Sequence, residues 1–315
     1  MIKDPWPTIK ESLIKLREHL SGFGDNEEVI TSKHDLWSIK KLVVLRYYLY
    51  PFFEILRNND YKKIHYVDLF AGSGFLKIKG KLMPGTPLVA LLTTKEFFEN
   101  NKKYVFDEYH LSDTNKKYVD ALKYRIQKLS GNIPTSINIQ QIDFDEAVEQ
   151  IFTGNPPSFE ERKENAYLVV LDPFGFQVDW EHLTKILKSG AVDVFITFPT
   201  TMASWNQNKE QSAESLTKLF GSNDWVICES EDAFLKMYCK KIEQVPVVWR
   251  NFKTTTLTVK TSNGKYHLIC ASRSPGAESV FSSMQKKFDA VDNELLSSVF
   301  DAAVGGKPTL EDYFS

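Results

Sequence analysis

The feature of this chain that most restricts its fold is an alternation. Five short apolar runs, at residues 64–69, 104–112, 137–142, 167–171 and 192–198, are separated by helical stretches at 87–98, 115–129, 145–152 and 180–188. Strands buried on both faces read as near-continuous apolar runs, and strands joined through helices lie parallel. The pattern predicts an α/β fold with a doubly wound, mostly parallel sheet. At 315 residues, 42% hydrophobic and 25% charged, the chain can bury the core such a sheet needs.

Around that centre the sequence changes style. Residues 8–20 form an amphipathic stripe of Ile9, Leu13, Leu16 and Leu20, and Glu11 and Glu18 interrupt any basic face, which favours docking on the domain over a membrane surface. A long helix is predicted over 31–57, capped by Thr31 or Ser32 and kinked or interrupted at Pro51. Residues 1–60 are therefore expected to be an N-terminal helical cap packed on the core, with residues 61–315 forming the α/β domain. Helical stretches at 209–220 and 231–243 make a helical insertion around 201–250. Ser262-Asn263-Gly264 between alternating runs at 254–260 and 266–272 predicts an antiparallel hairpin, followed by a helix over 277–288.

Charge and composition exclude several classes. A net charge of -2 and a pI near 6.3 give no global basic field, so nucleic-acid binding would need a local patch. Lys116, Lys117, Lys123, Arg125 and Lys128 read as one solvated helix face, with Lys236, Lys240 and Lys241 on another. Cys228, Cys239 and Cys270 are odd in number and lack paired spacing, which predicts neither disulfides nor a structural metal and fits a reducing cytoplasm. No stretch is long and apolar enough to span a membrane. The histidines show no His-x-x-x-His spacing, so no metal is expected.

Chemistry gathers at the ends of the apolar runs. Val67-Asp68-Leu69-Phe70-Ala71-Gly72-Ser73-Gly74 puts an acid and then a glycine turn at the carboxyl edge of the first strand, where main chain can approach a ligand closely. A dinucleotide fingerprint needs a third glycine opening a helix at once; here residues 75–83 intervene and the helix begins after Gly85-Thr86-Pro87. S-adenosylmethionine (SAM) suits the notch better than a pyrophosphate. Asp68 is expected to meet its amine, Phe70, Ala71, Gly72 and Gly74 to form the notch, Asp113 to accept from the ribose hydroxyls and Asp143 from the adenine amino group.

The fourth run ends in Leu171-Asp172-Pro173-Phe174-Gly175. This segment resembles the Asp/Asn-Pro-Pro-Tyr/Phe signature of methyltransferases acting on exocyclic amines of bases, and more closely the Asp-Pro-Phe-Gly of tRNA guanine dimethyltransferases. The resemblance implies that Asp172, with the carbonyl at Pro173, orients an acceptor amine and that Phe174 stacks on a base.

Over nearly its whole length the chain resembles the three-Cys-motif partner (TcmP) family. The resemblance rests on Lys33-His34, residues 68–74, Gly85-Thr86-Pro87-Leu88, residues 171–175, and Tyr266-His267-Leu268-Ile269 with Arg273. This chain has Ser73 and Thr86 where the family more often has proline and serine, and it shows Phe198-Pro199-Thr200-Thr201 where an asparagine is favoured. The resemblance implies a Rossmann-like methyltransferase sheet with helical additions, a separate three-cysteine-motif partner protein, and Lys33 and His34 as a cap over the ligand. Trp205 falls in the loop after the fifth run, where it would lie near the substrate entrance or serve as a core or partner contact. The expected function is SAM-dependent methyl transfer to an exocyclic amine of a nucleobase or similar acceptor. The alternative is a non-catalytic SAM-binding or partner subunit on the same fold.

Overall fold

A computed structural model describes residues 6–23, 32–33, 36–206, 210–247, 250–261, 264–289 and 291–304. The chain runs through α1 (Trp6–Glu18), β1 (Ser32–Lys33), α2 (Trp37–Arg57), β2 (Lys63–Asp68), β3 (Phe75–Ile78), β4 (Lys81–Pro84) and α3 (Thr86–Glu99). It continues through β5 (Glu108–Ser112), α4 (Lys116–Leu129), β6 (Ser136–Gln140), α5 (Phe144–Ile151), β7 (Asn165–Leu171), α6 (Trp180–Lys188) and β8 (Ala191–Phe198). The last third comprises α7 (Thr200–Asn206), α8 (Glu210–Phe220), α9 (Glu231–Glu243), β9 (Lys253–Thr261), β10 (Gly264–Ser272), α10 (Pro275–Phe288) and α11 (Asn293–Val304).

Seven strands form the main sheet in the order β6-β5-β2-β7-β8-β10-β9. The first five are parallel, and β10 runs antiparallel to both β8 and β9. The expected α/β, doubly wound, mostly parallel class with an antiparallel hairpin is what the chain adopts; the hairpin's Ser262 and Asn263 lie outside the described residues. Alternation along β7 shows why both faces are apolar. Leu168 and Val170 join one core with α2, α3 and α10, whereas Val169 and Leu171 join a second with α5, α6, α8 and α9.

The N-terminal helices belong to the first of these cores. Ile9, Leu13 and Leu16 of α1, and Leu45, Tyr48 and Phe53 of α2, are buried together with Leu88, Phe281 and Phe300. Neither the expected start of α2 nor an interruption at Pro51 is found. The helix begins at Trp37, with Ser32 in β1 and Thr31 outside the described residues, and it runs through Pro51 as one helix. Packing of Leu49, Phe52 and Phe53 on both sides of Pro51 outweighs the missing hydrogen bond.

The segment between the glycine turn and α3 has regular structure of its own. It folds into the antiparallel pair β3–β4, and β1 adds to β3 to make a separate three-stranded sheet. Arg125 is no part of a solvated face: it is fully buried, donates to the Ser73 carbonyl, and stacks 4.2 Å above the Phe75 ring. Among the described residues, no helix is long and apolar enough to cross a membrane.

Candidate functional site

In the parallel part of the sheet the connections leave β2 toward β5 on one side and reach β7 on the other, so the topological switch lies at β2 and β7, where open α/β sheets bind ligands beyond the strands' carboxyl ends. A cleft of about 680 Å3 opens there, lined by residues following β2, β5 and β7 and by Thr197 of β8. That volume is in the range of small-molecule sites.

The floor is the glycine turn. Gly72 and Gly74 adopt φ of 58° and 82°, the left-handed region that a side chain disfavours. Their surroundings differ. A Cβ on Gly74 would sit 2.6 Å from the Leu122 side chain, whereas one on Gly72 would meet nothing within 4 Å, so the notch at Gly72 is open space. Gly85 N–H donates to the Gly74 carbonyl at 2.6 Å, pinning the turn to the start of α3. Phe70 and Phe144 stack with centroids 5.6 Å apart and planes 17° apart, forming an apolar wall.

Asp113 lies on that floor. Its carboxylate accepts from Gly72 N–H at 3.0 Å and Asn115 N–H at 2.8 Å, while half-burial raises its pKa against the pull of those bonds. Each carboxylate oxygen can accept more than one bond, so Asp113 keeps capacity toward the cleft.

Asp68 is placed differently from expectation. It is fully buried and does not line the cleft; Oδ2 accepts from the Thr86 hydroxyl at 2.6 Å and the Tyr66 hydroxyl at 3.3 Å, and Oδ1 from Phe70 N–H at 3.3 Å. Burial pushes its carboxyl up to about 7, with the Thr86 bond opposing. Its evident work is to tie the glycine turn to α3 from beneath, and it presents no exposed oxygen to a ligand amine.

Asp143 departs as well. It is exposed, caps α5 by accepting from Glu146 N–H at 2.9 Å, and is not among the cleft's lining residues. The adjacent Phe144 is the lining residue of that turn.

The opposite wall carries Asp172, Pro173, Phe174 and Gly175. Phe174 is 78% exposed, an unusual setting for a large aromatic ring, and its N–H donates to Gln177 Oε1 at 2.9 Å, which braces the turn. Asp172 Oδ2 is held by the Lys41 ammonium, which comes from α2 and is itself almost wholly buried. Lys41 was not among the residues the sequence singled out, although a signal existed. It falls on the same helical stripe as Leu45, Tyr48 and Phe52, all buried, and a charge on such a stripe needs a partner. Gln177, Thr197 and Met202 also line the cleft without a sequence signal, and it is lined too by Tyr266 of β10, which the sequence singled out only through the segment 266–269. His34 and the side chains of Lys33 and Trp205 lie outside the described residues.

No protein-family model and no curated protein sequence matches the chain. Solved structures with a similar course do exist. Trm1 from Pyrococcus horikoshii, in complex with S-adenosyl-L-methionine, aligns at 11% identity and a TM-score of 0.36, covering 81% of this chain and 57% of that one. The chain thus spans little more than half the length of Trm1. Protein LPL1258 from Legionella pneumophila aligns at 12% identity and a TM-score of 0.43, covering 78% and 92%. The SAH-bound Podospora anserina methyltransferase PaMTH1 aligns at 10% identity and 0.33, covering 82% and 87%. At these scores and identities the likeness bears on neither family nor activity.

Proposed function

We propose that the chain is a SAM-dependent methyltransferase whose acceptor is an exocyclic amine of a nucleobase or a similar group. One observation carries the reading: a single cleft at the switch point joins an open glycine notch with Asp113 on one side to Asp172, Pro173 and Phe174 on the other. The notch and Asp113 fit a nucleoside with vicinal hydroxyls, and the Phe70–Phe144 wall offers an apolar surface beside it.

SAM, when bound, would supply an electrophilic methyl to the amine nitrogen, the methyl–sulfur bond breaking with its electron pair left on sulfur and the surplus N–H proton leaving to solvent. The chain's residues supply position and hydrogen bonds. Phe174 offers a ring face to a planar acceptor, and the Asp172 carboxylate, which can accept several hydrogen bonds, accepts an N–H of the attacking amine, a bond that strengthens as positive charge develops on nitrogen. Lys41 acts as a positioning residue, fixing the carboxylate's direction.

The TcmP resemblance adds a three-cysteine-motif partner protein to this proposal, and the odd number and spacing of Cys228, Cys239 and Cys270 add a cytoplasmic setting. A binding subunit without catalysis is favoured by the same ion pair, because a carboxylate already occupied by an ammonium is a poorer acceptor for an amine.

Mass spectrometry of the isolated protein for retained SAM or its demethylated product, with calorimetry against SAM, tests the pocket. Transfer of labelled methyl to RNA and DNA, with and without the three-cysteine protein, tests catalysis. Binding with transfer supports the enzyme; binding without transfer under both conditions supports the subunit; a folded protein that ignores SAM overturns both.

A further inference from the structure

Strand register, with no spacing motif in the sequence, brings two histidines and a glutamate together. His65 of β2 lies opposite Glu108 of β5, and His110 follows two residues on, so the pleat turns all three side chains to the face covered by α5. His65 Nδ1 and His110 Nε2 are 3.2 Å apart, and Glu108 Oε2 is 3.4 Å from each. A nearly equilateral triangle of three ligand-type atoms is unusual for ordinary hydrogen bonding, since only one proton can sit between the two ring nitrogens.

We propose that His65, Glu108 and His110 form a binding site for a divalent transition metal of the Zn2+ type. The edge of a tetrahedron with bonds of about 2.0–2.1 Å is about 3.3–3.4 Å, which the three separations match. An octahedral facial triad at similar bond lengths would need edges of about 3 Å, so the triangle favours tetrahedral coordination.

The surroundings supply what such a site requires. His65 Nε2 is 2.9 Å from Asn165 Oδ1, which can only accept; the proton therefore resides on Nε2 and the Nδ1 lone pair faces the other two groups. Tyr167 stacks on the His65 ring at 4.7 Å and holds its plane. Lys63 lies 3.7 Å from the other glutamate oxygen, Oε1, leaving Oε2 directed at the histidines. A cavity of about 220 Å3 adjoins the triangle, room for a water or small anion in the fourth position. It shares no lining residue with the SAM cleft, so the proposal is independent of the methyltransferase reading.

The test uses the whole chain and Zn2+ alone. Chelator-treated protein is loaded with Zn2+, dialysed into metal-free buffer and assayed for metal by mass spectrometry, with affinity from competition against a chromophoric chelator. One retained equivalent is expected, falling below about one tenth in Glu108→Gln and His110→Asn, and Asn165→Ala should weaken affinity about 10- to 100-fold. Should a variant not fold by circular dichroism, Co2+ in the wild type decides, since a tetrahedral site gives an intense visible spectrum. A folded wild type that retains no Zn2+, undiminished Zn2+ in both folded variants, or an octahedral Co2+ spectrum overturns the proposal.

Discussion

Lys41, in the first half of α2, forms an ion pair with Asp172 at the end of β7, across 131 residues of sequence. The pair joins the N-terminal helical layer to the one cleft wall that carries a candidate acceptor site. It is buried on the lysine side and only 20% exposed on the aspartate side. Lys41→Met should therefore strip the Asp172 carboxylate of this ammonium and cost about 1–3 kcal/mol in urea denaturation. Adding Asp172→Asn should recover part of that loss; strictly additive effects in the double-mutant cycle would mean the pair contributes nothing.

Asp113 and Asp143 separate a ligand role from a capping role. Asp113→Ala should weaken SAM binding at least about tenfold by calorimetry, equivalent to about 1.4 kcal/mol, because it removes both an acceptor in the cleft and the anchor of Gly72 N–H. Asp143→Ala should lower stability by about 1 kcal/mol through the lost cap of α5 and leave SAM affinity unchanged. The reverse pattern would return the adenine contact to Asp143.

Asp68 should make stability pH-dependent. Its carboxyl titrates at about 7 in the folded chain and near 3.8 when exposed, so between those values the fold holds a proton that the unfolded chain has released. The contribution is fully present below about pH 4 and is lost as pH rises through about 7. Asp68→Asn, which stays neutral throughout, should flatten this part of a stability-against-pH profile measured with urea. An unchanged slope would assign the dependence to another group.

Gly74→Ala should be far more costly than Gly72→Ala. Both demand a left-handed backbone, but only at Gly74 does the new methyl strike Leu122 at 2.6 Å and Leu88 at 3.1 Å. About 1–3 kcal/mol is expected from strain alone at either site, with overpacking added at Gly74. At Gly72 the methyl enters the open notch instead, so its larger effect should appear in SAM affinity.

The sequence by itself determined the class of fold. Apolar runs buried on both faces, helices of the right length between them and Asn263-Gly264 between alternating runs are local signals, and local signals specify which segments become strands and helices. It also determined where chemistry gathers, since strand ends in a parallel sheet share one edge; Asp113 and residues 172–175 meet there as the register requires.

Tertiary structure alone decided what each side chain does. Asp68, Asp113 and Asp143 are alike in sequence, each an acid ending a strand, yet one is buried beneath the turn, one lines the cleft and one caps a helix. Arg125 and Lys41 are charged residues on helices that packing carried into the interior. His65 and His110 are 45 residues apart and become neighbours only through the pairing of β2 with β5. Burial and partnership depend on contacts between segments distant in the chain, and residue order carries no local mark of them.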